Sequence, residues 1–406
     1  MKPQKNTKPS HKKAQLKIMF CILCIFVANA AAQAPKERAP GITENKIVIG
    51  TMVDTSGLLA EFGRAVTAVT NAYVQEINSQ GGIYGRRLEL RVIETSQDGL
   101  QKQAKLEPVL KAQEVFAMSA AMIAGAEIEL VPLFSKYETP LIGPFSLYGQ
   151  TGHPVNRQVF YVLSGFANQT RSLLNFLRQK PESKNLNIAV LSPRNDVFTE
   201  VVEAVRDQRK KQGSTAPMVI EYVQGRFDVA DAIKQMRQAS IGILLVLGAT
   251  DEQMPLLLEA AKLNWFPFVL SPGGAIGATI LAAPVGFDRK VFFSFPIVPA
   301  DQTAESRKEF RALAEKYKLP STHVVTQMTA YVAFKILVEG IRRAGKDVNR
   351  EKLIQVLEGF QQYSTGLTPA ITYGPNRRMG SMGAYVVAVD LKEKNFVPVS
   401  EWIDSN

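Results

Sequence analysis

Residues 46–98 constrain the fold more than any other stretch. They read KIVIGTMVDTSGLLAEFGRAVTAVTNAYVQEINSQGGIYGRRLELRVIETSQD. An apolar run at 46–52 gives way to a polar turn around Ser56 and Gly57. Residues 60–79 place Phe62, Val66, Val69, Tyr73 and Ile77 at spacings of three and four, which makes one apolar face of a helix. A corner follows at Gly81-Gly82-Ile83-Tyr84-Gly85, and residues 87–94 predict a second strand. Strand, helix and strand in that order form a βαβ unit. The turn after its first strand is where a ligand is expected to sit.

The rest of the chain repeats the scheme. Helices are predicted over 100–112 and 125–137, with strands at 115–118, 140–143 and 157–163. Ser164-Gly165 marks a crossing point, after which a second alternating series begins. It has helices at 168–179, 197–212, 229–239 and 251–263, and strands at 187–192, 217–223, 241–247, 267–271 and 291–296. Such alternation predicts an α/β fold of mostly parallel sheets with helices on both faces. Helices at 303–317, 322–344 and 350–358 come next, then strands at 370–373, 384–390 and 396–402. At 406 residues the chain exceeds one ordinary core, so two lobes are expected.

The N-terminus stands apart from this pattern. Residues 1–17 carry six lysines and no acid, residues 18–27 are an unbroken apolar run, and Ala28-Asn29-Ala30-Ala31-Ala32 follows. That is the order of a cleavable secretory signal peptide over 1–32, with an uncleaved anchor as the alternative. Both cysteines, Cys21 and Cys24, lie inside it, so the mature chain has no disulfide and no thiolate chemistry. Loss of six lysines takes the formal charge from +11 to +5. Nucleic acid is therefore not an expected partner, and the basic clusters at 206–211 and 342–343 read as solvated helix faces.

The residues for catalysis are sparse. His153 and His323 stand in different segments without metal-ligand spacing, and no nucleophile elbow appears. No metal site, no cofactor and no enzymatic activity are expected. The first strand ends without a phosphate-binding glycine loop, which argues against a nucleotide. What remains is a set of polar or glycine turns after strands, at 54–57, 122–125, 145–148, 166–169, 248–251 and 272–274. In open parallel sheets ligands bind beyond the carboxyl ends of the strands, and two lobes facing each other would bury a small molecule. Read as helix caps alone, the same turns need no ligand.

Several segments resemble a known family. They are IVIGTMVDTSG (47–57), FGRAVTAVTNAYVQEINSQGGIYGRRLEL (62–90), SQD (96–98), PLIGP (140–144), RQVFYVLSG (157–165), NIAVLS (187–192), GRFDVADAIKQMR (225–237), ILLVLG (243–248) and GPNRRMG (374–380). The chain is similar to periplasmic solute-binding proteins of ABC transporters of the leucine/isoleucine/valine-binding type, over about residues 44–403. The resemblance implies a two-lobe type I periplasmic-binding fold with three hinge crossovers. It places lobe 1 at 45–163 and 297–365, and lobe 2 at 164–296 and 366–406. The lobes would close on the ligand by a hinge motion.

By position, the resemblance puts Ser56 and Phe62 in the cleft, with Phe62 covering the ligand. It sets Ala124, Gly125, Phe145, Ser146 and Leu147 where the family grips a ligand carboxylate. Phe198 (or Val197) and Thr250 fall near its aromatic contacts. The place of the acid that meets a ligand ammonium is Gly273, and a second such acid falls at Ala167 or Asn168. A buried ammonium without a counter-charge is costly. Asp251 or Asp54 could substitute. An apolar or aromatic small acid, or an amide-like solute, fits these positions at least as well as a free amino acid. The expected function is an exported, periplasmic binding protein that presents a small solute to an inner-membrane ABC permease. A ligand sensor for a signalling partner is the alternative.

Overall fold

The computed structural model describes residue 1 and residues 39–146, 155–194, 196–223, 225–248, 250–273, 278–298 and 301–405. The expected leader (Met1 apart), both cysteines, His153 and Leu147 lie outside the described residues.

Strand β1 (Lys46–Asp54) continues two residues beyond the expected apolar run. It lies between β2 (Arg87–Thr95) and β3 (Ala117–Ser119) in a parallel sheet that continues through β4 (Leu141–Ile142) to β5 (Val159–Phe160). Alternate residues of β1 enter different cores. Ile47, Ile49 and Val53 pack with α1 (Ala60–Ser79), while Val48 and Met52 pack with α2 (Gly99–Lys111) and α3 (Glu127–Lys136). Cover on both faces explains why β1 reads as a nearly unbroken apolar run. Strands β4 and β5 are shorter than expected. Pro140 and Pro144 flank β4 and have no N–H to give a ladder. Tyr161 leaves β5 to bridge Met379.

The corner after α1 depends on glycine. Gly82 has φ +74, and a Cβ there would stand 2.1 Å from the Arg86 carbonyl oxygen. The tight turn lets Ile83 and Arg86 exchange backbone hydrogen bonds and buries Ile83.

The second series builds a larger sheet. After α4 (Phe166–Arg178) come β6 (Asn187–Pro193), α5 (Asp196–Lys211), β7 (Met218–Tyr222), α6 (Val229–Gln238), β8 (Ile241–Val246), α7 (Thr250–Lys262), β9 (Phe268–Pro272) and β10 (Val291–Phe295). Strands β6 to β10 are parallel. Here too alternation splits the cores, with Ala189 and Leu191 on one face and Ile188 and Val190 on the other. Three helices follow: α8 (Ala304–Lys316), α9 (Val324–Ala344) and α10 (Arg350–Glu358). The chain then adds β11 (Gly383–Asp390), antiparallel to β10, with β12 (Asn395–Pro398) and β13 (Ile403–Asp404) paired to it. The sheet order is β12-β11-β10-β9-β8-β6-β7.

Side-chain caps set several helix starts. Asp98, Asp228, Thr303 and Asn349 each accept the N–H of the residue three positions on. Helix α9 is long and apolar enough to cross a membrane, yet 67% of its apolar window is buried in the protein. Its Tyr331 ring meets Tyr73 of α1 edge-on at 5.0 Å, so α9 is a core helix.

One expected strand is absent among the described residues. Residues 370–373 form no strand, only an isolated bridge from Ile371 to Tyr363. Within 366–381, Leu367, Ile371 and Tyr373 enter the core beneath α1 and α9, and Met379 joins the opposite core of the first sheet. The buried Tyr373 hydroxyl holds the segment there by donating to the Tyr161 carbonyl.

The chain passes between the two sheets three times, after β5, after β10 and before β11. The first and third passages are bonded side by side. Ser164 Oγ donates to the Gly383 carbonyl at 2.6 Å, and Ser381 Oγ donates to the Val162 carbonyl at 3.3 Å. At the second passage, Asp301 accepts from the Tyr385 hydroxyl of β11. Burial, then this carboxylate, pushes the Tyr385 phenol above its ordinary range. The architecture is a two-lobe α/β fold with three crossovers.

Candidate functional site

The carboxyl end of β1 carries an acid already in use. Asp54 is fully buried, and its Oδ2 lies 3.2 Å from Nζ of Lys102 on α2. Thr95 donates to Oδ1 at 3.0 Å, and the Lys102 ammonium also donates to the Met122 carbonyl at 2.9 Å. Asp54 is therefore not available as a counter-charge for a ligand ammonium.

Two turns of the first sheet come together beside it. Phe145 N–H donates to Ala121, and the Phe145 carbonyl accepts from Ile123 and Ala124 at 3.1 and 3.0 Å. Gly125, with φ +80, donates its N–H to Glu127 Oε2 at 2.7 Å. Ser146 Oγ donates to Glu127 Oε1 at 2.8 Å. Glu127 is the first residue of α3 and only 3% exposed. Ala124, Gly125, Phe145 and Ser146 are thus brought together. Their donors are turned inward to the protein, and the carboxylate among them is its own.

Ser56 and Phe62 lie at the start of α1. Ser56 is exposed and makes no capping hydrogen bond to the turn that follows it. Phe62 is the one member of the apolar face of α1 left half-buried, where Val66, Val69, Tyr73 and Ile77 are buried. Its ring centroid lies 4.2 Å from that of His323, the residue before α9. His323 Nε2 lies 3.3 Å from Glu61 Oε2.

The second sheet presents aromatic rings at its strand ends. Phe198 of α5 stacks on Phe166 of α4, with centroids 6.5 Å apart and planes at 12°. Phe166 also closes over Gly273, which has φ +74 and whose added Cβ would meet Phe166 Cε1 at 2.4 Å. The position where the resemblance looks for an acid is thus held by a ring. Tyr222, at the end of β7, stacks on Phe227 at 4.2 Å and donates its hydroxyl to Glu252 Oε2 at 2.7 Å. Asn168 points elsewhere than expected. It is 1% exposed, donates to Met379 Sδ and accepts from Arg171 at 2.9 Å, so it serves the crossover. Burial lowers the Arg171 guanidinium below its ordinary value. Ala167 is buried beside it. Thr250 and Asp251 open α7, and their side chains lie outside the described residues.

Sequence reasoning missed Glu127, Phe166, Tyr222, Glu252 and His323 as site residues. Phe166 falls inside a turn singled out after a strand, and Tyr222 ends a strand, so the strand-end rule could have found both. Glu127 and Glu252 each stand within two residues beyond such a turn. Nothing in the pattern ties His323 to Phe62, since 261 positions separate them.

The family model described as periplasmic binding protein matches residues 46–395. No curated protein matches the sequence. Among solved structures, the chain is similar to a branched-chain amino acid ABC transporter protein from Thermus thermophilus with bound valine. Identity is 19%, with 89% of this chain and 97% of that one covered at a TM-score of 0.71. A fatty acid ABC transporter substrate-binding protein from Thermomonospora curvata shares 17% identity over 92% of this chain and 96% of that one, TM-score 0.70. A leucine binding protein from Thermotoga maritima shares 15% over 88% and 99%, TM-score 0.68. Identities this low speak to the fold alone.

Proposed function

We propose the function from one premise: the chain belongs to the periplasmic binding protein family. It is the exported binding component of an ABC transporter of the branched-chain amino acid type. It holds a small organic solute between its lobes, closes on it by a hinge motion, and delivers it to an inner-membrane permease. The leader over residues 1–32 sends it to the periplasm. Lobe 1 comprises 45–163 and 297–382, and lobe 2 comprises 164–296 and 383–406.

The observation that carries this reading is the gathering of ring and polar groups at the strand carboxyl ends of both sheets. Phe62, Ser146 and Glu127 stand at one, and Phe166, Phe198 and Tyr222 at the other. In a parallel sheet those ends carry the turns and helix starts that ligands use. Across the cleft, aromatic faces supply apolar contact and the polar groups fix orientation. Ser56, Phe62, Ser146, Phe198, Thr250 and Asp251 are the residues assigned to the ligand, together with Leu147. A ligand sensor built on the same lobes has no specific observation in its favour.

A thermal-shift screen of the leaderless protein against amino acids, aromatic acids, dicarboxylates and amides tests the reading. A hit should lower the radius of gyration in solution scattering and lose affinity in Phe62→Ala and Phe198→Ala. A solute that binds without compaction, and without sensitivity to either substitution, would show that the cleft is not its site.

A further inference from the structure

We propose that the second sheet carries, at the end away from its solute turns, a site for a small oxyanion such as phosphate or sulfate, built on Arg209 and Gln212. It lies beside the amino ends of β6 and β8, whereas the solute turns stand at the carboxyl ends of the strands.

A cavity of about 120 Å³ opens there between the ends of α4 and α5 and the stretch that leads into β6. That is room for several waters or for one small ion. Arg178, Lys184 and Arg209 line it with Asn185, Gln212 and Ser214, and no carboxylate is among the described residues lining it. The only formal charges on its wall are positive.

Arg209 turns inward where its neighbours turn out. Arg206, Lys210 and Lys211 are exposed, as on a solvated helix face, yet Arg209 is only 5% exposed. Its Nε donates to the Thr215 carbonyl at 3.2 Å, and its Nη2 donates to the Leu186 carbonyl at 3.1 Å and to Thr215 Oγ1 at 3.4 Å. All three acceptors are neutral. Two of the five guanidinium donors sit on Nη1, which has no acceptor among the described residues. Burial lowers the guanidinium below its ordinary value, and no neighbouring carboxylate raises it again. A buried cation without a counter-charge is costly.

Gln212 adds an independent observation. Its side-chain nitrogen Nε2 is buried and has no hydrogen-bond partner. Helix dipoles favour cations at the ends of α4 and α5, which accounts for Arg178 and the exposed lysines. They account for neither the cavity nor the unanswered amide. An oxyanion answers both, because it accepts from the guanidinium fork and from the amide N–H. Arg178 and Lys184 then close the mouth by charge. A metal cation would meet donors and like charges instead.

The test uses the leaderless protein and no cleft solute. Phosphate and sulfate should raise its melting temperature, and chloride at matched ionic strength should not. In titration calorimetry with inorganic phosphate, Gln212→Leu should bind about tenfold more weakly or worse, as expected for loss of a hydrogen bond to a charged group. Without anion it should melt no lower than wild type, because it removes a polar group that has no partner. Arg209→Met should abolish binding. That variant also strands the Leu186 and Thr215 carbonyls, so Gln212→Leu guards against a folding defect. Arg178→Ala and Lys184→Ala, both exposed, should each weaken phosphate about threefold.

Sedimentation with phosphatidylglycerol vesicles separates two sources of the same chemistry. Sedimentation that free phosphate reverses assigns the site to a lipid headgroup, and none assigns it to the free ion. Vesicle binding that phosphate leaves intact overturns the proposal. So does a phosphate response no larger than that to chloride, or one of equal size in wild type and Gln212→Leu. A Gln212→Leu protein that melts lower without anion would give the amide a partner inside the protein and overturn it as well.

Discussion

Asp54 and Lys102 form an ion pair in which neither side chain reaches solvent, with Nζ 3.2 Å from Oδ2. The pair joins the end of β1 to α2 and, through the Met122 carbonyl, to the turn before α3. It therefore fixes the floor on which the Glu127 cluster stands. Removing one partner leaves the other charge buried and alone, a loss of about 3–5 kcal/mol for such pairs. Lys102→Met should lower the urea midpoint sharply. Adding Asp54→Asn should recover part of the loss, since the amide carbonyl can still accept from Thr95. A single variant with an unchanged midpoint would mean that the pair holds nothing in place.

How much of this was legible in the sequence depends on range. The bounds of α1 and α10 agree with the predicted helices because their apolar spacing and flanking polar turns are local signals. Strands β4 and β5 are shorter than their sequence predicts because Val, Ile and Phe look alike in a strand and in the buried passage beyond it. The packing of Leu367 and Ile371 under α1 was invisible, since it is decided by partners far away in sequence. The site shows the same division. Residues 122–125 and 145–146 stand just past strands β3 and β4. That their donors would be consumed by Glu127 and Phe145 is a matter of three-dimensional pairing, which periodicity does not encode.

Gly273 cannot simply be returned to an acid. A Cβ there meets the Phe166 ring, and the residue's φ of +74 already disfavours any side chain. The conformation costs about 1–2 kcal/mol, and overpacking adds about 1–3 kcal/mol. Gly273→Asp should melt several degrees below wild type. Combining it with Phe166→Ala should cost less than the two separate losses summed, because the clash is gone. Simple additivity in circular-dichroism melts would refute the contact.

Leucine is a demanding probe of the same region. Its ammonium would find glycine beneath a ring at 273, a buried alanine at 167 and an Asp54 already paired. Its carboxylate would find the donors of Gly125 and Ser146 occupied. Leucine should therefore bind with a Kd weaker than about 100 μM, which is about 5.5 kcal/mol or less. Titration calorimetry decides the matter, and sub-micromolar affinity would contradict it.

Glu76 of α1 and Lys316 of α8 give the fold a defined pH signature. The hydrogen bond from Lys316 is the main influence on Glu76 and holds its carboxyl below the ordinary 4.5, with Tyr317 adding to the effect and burial opposing it. The same contact raises Lys316 above its ordinary 10.5. For Glu76 the folded state binds its proton less readily than the unfolded chain, so stability increases with pH across that range. The contribution is complete above the unfolded carboxyl value and is lost as pH falls through the lowered folded one. For Lys316 the sign reverses: the contribution is complete below its unfolded value and is lost as pH rises through the raised folded one. Glu76→Gln should therefore melt below wild type by the most between about pH 5 and 10, and the two melting curves should converge toward both acid and alkali. An offset of constant size from pH 3 to pH 11 would show that the substitution acts through packing rather than through the charge pair.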